Sequence, residues 1–115
     1  MVVEDEALVG LMMVDIVNEL GFSAFGPFAS VAEATAAARG GNCEAAVLDV
    51  NLNGELVYPV ADMLAESGVP FIFVTGYSPD LVEKRFAEVP VVQKPVQIVD
   101  LQRAFLSQGL ACKAA

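Results

Sequence analysis

The chain has 115 residues, of which 56% are apolar and 18% charged, and a net charge of −9. That is the length of one domain with a real core, and the composition excludes intrinsic disorder. So negative a chain is a poor match for nucleic acid, whose phosphates call for basic patches. There is no His, which rules out imidazole catalysis and His-based metal sites. The longest apolar run, Val69 to Val74, contains a proline and falls far short of the roughly 20 residues of a membrane span. Met1-Val2-Val3 runs straight into Glu4-Asp5-Glu6, so no signal peptide is expected. Cys43 and Cys112 make no disulfide framework and read as free thiols of a reducing, cytoplasmic setting.

In chain order, Met1 to Val3 can only be a strand, and one so short for a central position that residues upstream are expected. Ala7 to Leu20 carries apolar residues at 8, 12, 16 and 20, with Val9 and Met13 alongside, as in an amphipathic helix stopped by Gly21. Phe22 to Phe28 is apolar enough for a second strand, interrupted by Gly26-Pro27. Ser30 and Glu33 have capping-box spacing and open an Ala-rich helix ending at Arg39-Gly40-Gly41. Glu44 to Asp49 is a buried third strand that ends in a carboxylate. After the Asn53-Gly54 turn, Pro59 is placed as a first-turn proline of a helix reaching Gly68. Val69 to Thr75 is a fourth strand. Ser78-Pro79 starts a short, weak helix over about Asp80 to Phe86. Val89 to Gln93 is a fifth strand, closed by Lys94-Pro95, and Ile98, Leu101 and Phe105 mark a last helix reaching about Leu110. Strands alternating with helical segments give an α/β fold, a doubly wound five-stranded parallel sheet with helices on both faces.

On that frame the polar residues fall at strand ends. Glu4 and Asp5 end the first strand, Asp49 the third, Thr75-Gly76 the fourth and Lys94 the fifth. In open parallel sheets chemistry collects beyond these ends. Three carboxylates in one crevice repel unless a cation joins them, and Mg²⁺ suits carboxylates, waters and a phosphoryl oxygen. Asp49, with an ammonium and a hydroxyl nearby, fits a covalent phosphoryl acceptor. Each residue also has an ordinary reading: the acidic run as a solvated helix start, Asp49 as a turn cap, Lys94 as a surface charge. It is the four in register that favour a site.

Glu4-Asp5, Asp49 with Asn53-Gly54, Thr75-Gly76 and Lys94-Pro95 together resemble the receiver domain of two-component response regulators, over essentially the whole of residues 1–115. The resemblance implies a flavodoxin-like fold with strand order 2-1-3-4-5 and no output domain in this chain. It implies that Asp49 takes a phosphoryl group from a histidine kinase or histidine phosphotransfer protein, as a switch controlling an output partner rather than as a turnover enzyme. Glu4, Asp5, Asp49 and the Asn51 backbone carbonyl would hold Mg²⁺, Thr75 would move to the phosphoryl group, and Lys94 would pair with it. A cis Lys94-Pro95 peptide and pairing of two copies through the face of helix four, strand five and helix five belong to the same analogy. One position departs from the family. Val91 stands where receivers carry an aromatic ring, and Phe73-Val74-Thr75-Gly76-Tyr77 resembles a subgroup with a Phe-x-Thr-Gly-Tyr signature, which makes Tyr77 the switch candidate.

Three rivals share parts of this pattern. A flavodoxin-type carrier needs a phosphate-cradling loop where Glu4-Asp5-Glu6 would repel one. A haloacid-dehalogenase-type phosphatase needs a second Asp where Asn51 stands. A pseudo-receiver, an interaction module that is not phosphorylated, is the alternative that the intact Asp49, Thr75 and Lys94 set argues against.

Overall fold

The computed structural model describes residues 1–112. Its elements in chain order are β1 (Val2–Val3), α1 (Ala7–Glu19), α2 (Val31–Arg39), β2 (Ala46–Asp49), β3 (Asn51–Leu52), β4 (Glu55–Leu56), α3 (Tyr58–Glu66), β5 (Phe71–Thr75), β6 (Val91–Gln93) and α4 (Ile98–Ser107). The main sheet is parallel, in the order β1-β2-β5-β6. Every residue of β2 and β5 is buried, as expected of apolar strands covered on both sides.

Alternation along the strands divides the core in two. Val3, Leu48 and Phe73 join residues of α2 and α3 in one layer. Val2, Val47, Ile72, Val74 and Val92 join α1 and α4 in the other. The fold is therefore a doubly wound, flavodoxin-like α/β domain.

The expected order 2-1-3-4-5 holds, with one position reduced. The 22–28 segment contributes a single parallel bridge, Phe28 beside Val3, rather than a full strand. Val2 donates to the Phe25 carbonyl and Phe28 to that of Val2. Between those bonds Pro27 has no N–H to offer. Gly26 sits at φ 112, where a Cβ would lie 2.5 Å from the Val2 carbonyl oxygen.

The helix expected over Asp80 to Phe86 is instead two 3-10 turns, Pro79–Leu81 and Lys84–Phe86. Val82 and Glu83 between them have extended ψ angles of 139° and 138°, which no helix can contain. The helix-four part of the pairing face is accordingly not an α-helix.

The stripe of α1 is also rotated from its expected position. Gly10, Met13, Val17 and Leu20 are buried, while Leu8 and Met12 are exposed. The four strands of the main sheet start one or two residues later than expected, and α4 ends at Ser107 rather than near Leu110. Other local readings hold. The Ser30 hydroxyl accepts from Glu33 N, and the Glu33 carboxylate from Ala29 N. Pro59 lies in the first turn of α3. Asn53 and Gly54, both at positive φ, close a β3–β4 hairpin by the short turn this dipeptide favours. Among the described residues no helix is long and apolar enough to cross a membrane, and both cysteines are free.

Candidate functional site

Parallel register sets Val3 beside Leu48 and Asp49 beside Val74, so the residue after β1 and the last residue of β2 reach the same sheet edge. Side chains alternate along a strand. Counting by twos from Val2, Val47 and Val92 therefore puts Glu4, Asp49 and Lys94 on the α1/α4 side of that edge. The same count from Phe73 puts Thr75 on the opposite side.

The distances agree. Lys94 Nζ lies 2.7 Å from Glu4 Oε1 and 3.1 Å from Asp49 Oδ2. Glu4 is 1% exposed and Asp49 4%. Glu4 Oε2 accepts from Glu6 N at 3.0 Å, whereas its buried Oε1 has no donor in hydrogen-bond alignment, Lys94 being close but askew. Asp49 Oδ1 accepts from Asn51 N at 3.3 Å, and the half-buried Asp5 accepts from Asn53 N at 3.1 Å. Glu4, Asp5 and Asp49 each place one oxygen within 4.8 Å of the other two.

Burial, and then the neighbouring Glu4, push the Asp49 carboxyl up to about 7, against the pull of Lys94. Burial would raise Asp5 as well. Hydrogen bonds involving Glu4, its own backbone, Asp49 and Asn53 outweigh that and hold it below the usual carboxylate range. Burial opposes the charge on Lys94, but close approach to the Glu4 carboxylate and the ion pair and hydrogen bond with Asp49 prevail and raise it above an ordinary lysine. Three carboxylates around one ammonium leave the crevice short of positive charge. An all-oxygen donor set, with one buried oxygen lacking an aligned donor, fits a hard divalent cation.

The other expected site residues lie close by but are not joined to this cluster by their side chains. Thr75 is buried, and its Oγ1 accepts from Tyr77 N at 3.0 Å. Its carbonyl accepts from Lys94 N at 2.8 Å, which ties β5 to the lysine. Tyr77 is 57% exposed. The Asn51 side chain is occupied by the hairpin, taking Gly54 N at 2.6 Å. The Lys94–Pro95 peptide is cis. Sequence reasoning missed the Glu4–Lys94 pair and the supporting N–H groups of Glu6 and Asn53. Period-two counting from Val2 and Val92 was the signal that could have found the pair.

Fold and site together define a flavodoxin-like parallel domain with a buried acidic cluster and a lysine at the carboxyl ends of its strands. No family model and no curated protein matches the chain, but solved structures do. SdrG from Sphingomonas melonis Fr1 is 40% identical, with a TM-score of 0.85 over 95% of this chain and 93% of that one. SdrG has also been solved in a BeF3-activated conformation, at 40% identity and a TM-score of 0.79 over 93% of this chain and 92% of that one. The signal receiver domain of a modulated diguanylate cyclase from Desulfovibrio desulfuricans G20 is 26% identical, with a TM-score of 0.76 over 91% of this chain and 87% of that one. The response regulator PhyR from Brucella abortus is 26% identical, with a TM-score of 0.77 over 95% of this chain but 46% of that one. The chain belongs to the response regulator receiver domains.

Proposed function

We propose that Asp49 accepts a phosphoryl group from a phosphohistidine of a histidine kinase or phosphotransfer protein. The observation that carries this reading is the convergence of Lys94, Glu4 and Asp5 on a buried strand-end carboxylate. An Asp49 oxygen forms the new P–O bond as the donor's P–N bond breaks, and the released imidazole nitrogen takes up a proton. Lys94 leaves its carboxylate partners for a phosphoryl oxygen. Glu4, Asp5, Asp49 and the Asn51 carbonyl would hold Mg²⁺. When bound, the ion supplies charge neutralisation for the phosphoryl oxygens and the crowded carboxylates.

Thr75 gives this reading a switch. Its hydroxyl oxygen now takes the Tyr77 N–H, and turning that hydroxyl to the phosphoryl group would release Tyr77. The existence of a BeF3-activated conformation of SdrG supports a site that answers to a phosphoryl-like anion. The protein would act stoichiometrically as a signalling domain rather than as a turnover enzyme, passing the change to an output partner.

Intact mass after incubation with acetyl phosphate tests the acceptor. One phosphoryl increment is expected, dependent on Mg²⁺ and lost in Asp49→Asn. No increment, with acetyl phosphate or with a panel of phosphorylated histidine kinases and phosphotransfer proteins, would make the domain an interaction module that is not phosphorylated.

A further inference from the structure

We propose that a groove beside the acidic cluster binds an apolar side chain carried on a basic segment of a partner protein. The groove is a cavity of about 230 Å³ between the β3–β4 hairpin and residues 77–83, and its apolar walls include Val50, Leu56, Tyr58, Tyr77, Leu81 and Val82. Its Tyr58 wall is preformed. That ring stacks on Phe86 with centroids 5.4 Å apart, and its hydroxyl accepts from Glu83 N at 3.2 Å.

Single exposed apolar residues are ordinary, but a cluster of them around a ready concavity marks a binding surface. Leu56, Tyr77 and Leu81 are 49%, 57% and 70% exposed, and all three border this one cavity. Glu83 is the one charged residue in the lining, which holds neither Lys nor Arg. Exposed Glu55 and Asp80 adjoin Leu56 and Leu81 in the chain. Arg85 is already held by Asp62 and Glu83, each at 2.7 Å, and Lys84 lines an adjoining groove, with Phe86 and Val89, that shares only Val82 and Glu83 with this one. The net charge of −9 disfavours a second copy as occupant and favours a cationic segment. The occupant is therefore a Leu or aromatic residue flanked by Lys or Arg. These observations concern the unmodified protein, so the proposal does not depend on phosphorylation.

Titrating the ¹⁵N-labelled protein with synthetic peptides tests it, using central Leu, Phe or Trp flanked by Lys and Arg, beside Glu-flanked counterparts. At least one basic peptide should saturably shift the amides of Val50, Leu56, Tyr77 and Leu81. Its affinity should fall with added salt, and by about tenfold in the Leu56→Ser, Leu81→Ser double variant, whose changes are on the surface and leave the fold intact. Equal binding of Glu-flanked peptides, no localised shift with any basic peptide, or full binding by the double variant would overturn the proposal. So would contacts of the Tyr77 ring with Val50 and Leu56 in the free protein, which make Tyr77 the occupant. Shifts at these amides that vanish on dilution would likewise overturn it, in favour of a second copy.

Discussion

Asp49 is the acceptor in the proposed function, and its burial beside Glu4 has a cost while no cation is bound. Its carboxyl binds a proton up to about 7, well above its ordinary 3.8. The native state thus holds this proton more tightly than the unfolded chain. The resulting contribution to stability is fully present below about pH 4 and is lost as pH rises through about 7. Asp49→Asn removes that decline. In metal-free buffer its advantage over the wild type in urea unfolding should grow by about 1 kcal/mol from pH 5 to pH 8, half the full value of the roughly two pH units between 5 and about 7, because water screens part of it. An advantage that stays constant across this range would show that Asp49 does not hold the proton. The four charged residues were legible because each lies within two residues of the end of an apolar run. The pairing of Lys94 with Glu4 was missed: counting by twos from Val2 and Val92 sets both on one side of the sheet, but their 2.7 Å approach also needs the strand order and register.

At the scale of elements, α1 was visible as a helix, and its buried face was what went wrong. Leu8 and Met12 of the expected stripe are exposed, and Gly10 is buried beneath Pro27. A glycine carries no weight in a hydrophobic stripe, so the pattern pointed to the wrong face. A Cβ at Gly10 would meet the Pro27 ring carbons at 2.7 Å. Gly10→Ala should therefore lose about 1 kcal/mol, overpacking outweighing alanine's better helix propensity. Leu8→Ser, at a position 79% exposed, should stay within about 0.5 kcal/mol of the wild type. Thermal or urea unfolding of the two variants checks both, and the reverse order would place α1 on its other face. The 79–86 segment was misread for a related reason. Its cap residue Ser78 and Pro79 promise a helix, but Phe86 is drawn into the core and Arg85 to Asp62 of α3, and the chain bends to reach both.

For the whole molecule, the core that joins the sheet to this segment is aromatic. Phe73 is fully buried, with ring centroids 5.5 Å from Phe71, 5.3 Å from Phe86 and 6.0 Å from Tyr58. It sits one register level before Thr75, in a strand with partners on both sides. Phe73→Ala should cost about 3–5 kcal/mol in urea unfolding, with the transition still cooperative. A cost under 1 kcal/mol would mean that the layer beneath Thr75 collapses freely and holds the 79–86 segment only loosely.

The sequence by itself determined the α/β class, the order of elements, the helix caps and the hairpin turn, and the placing of Glu4, Asp5, Asp49, Thr75 and Lys94 at strand ends. These are local matters, settled by periodicity, by proline and glycine, and by where apolar runs stop. Only the tertiary structure decided that the second strand shrinks to one bridge at Phe28, that the 79–86 segment forms two 3-10 turns, and that Lys94 leans on Glu4 while Thr75 faces away. Each of those depends on residues distant in the chain competing for one place, Pro27 against Gly10, Phe86 against a helix, Glu4 against Asp49 for a single ammonium. Local pattern cannot decide such competitions, because packing and charge settle them only once the sheet has formed.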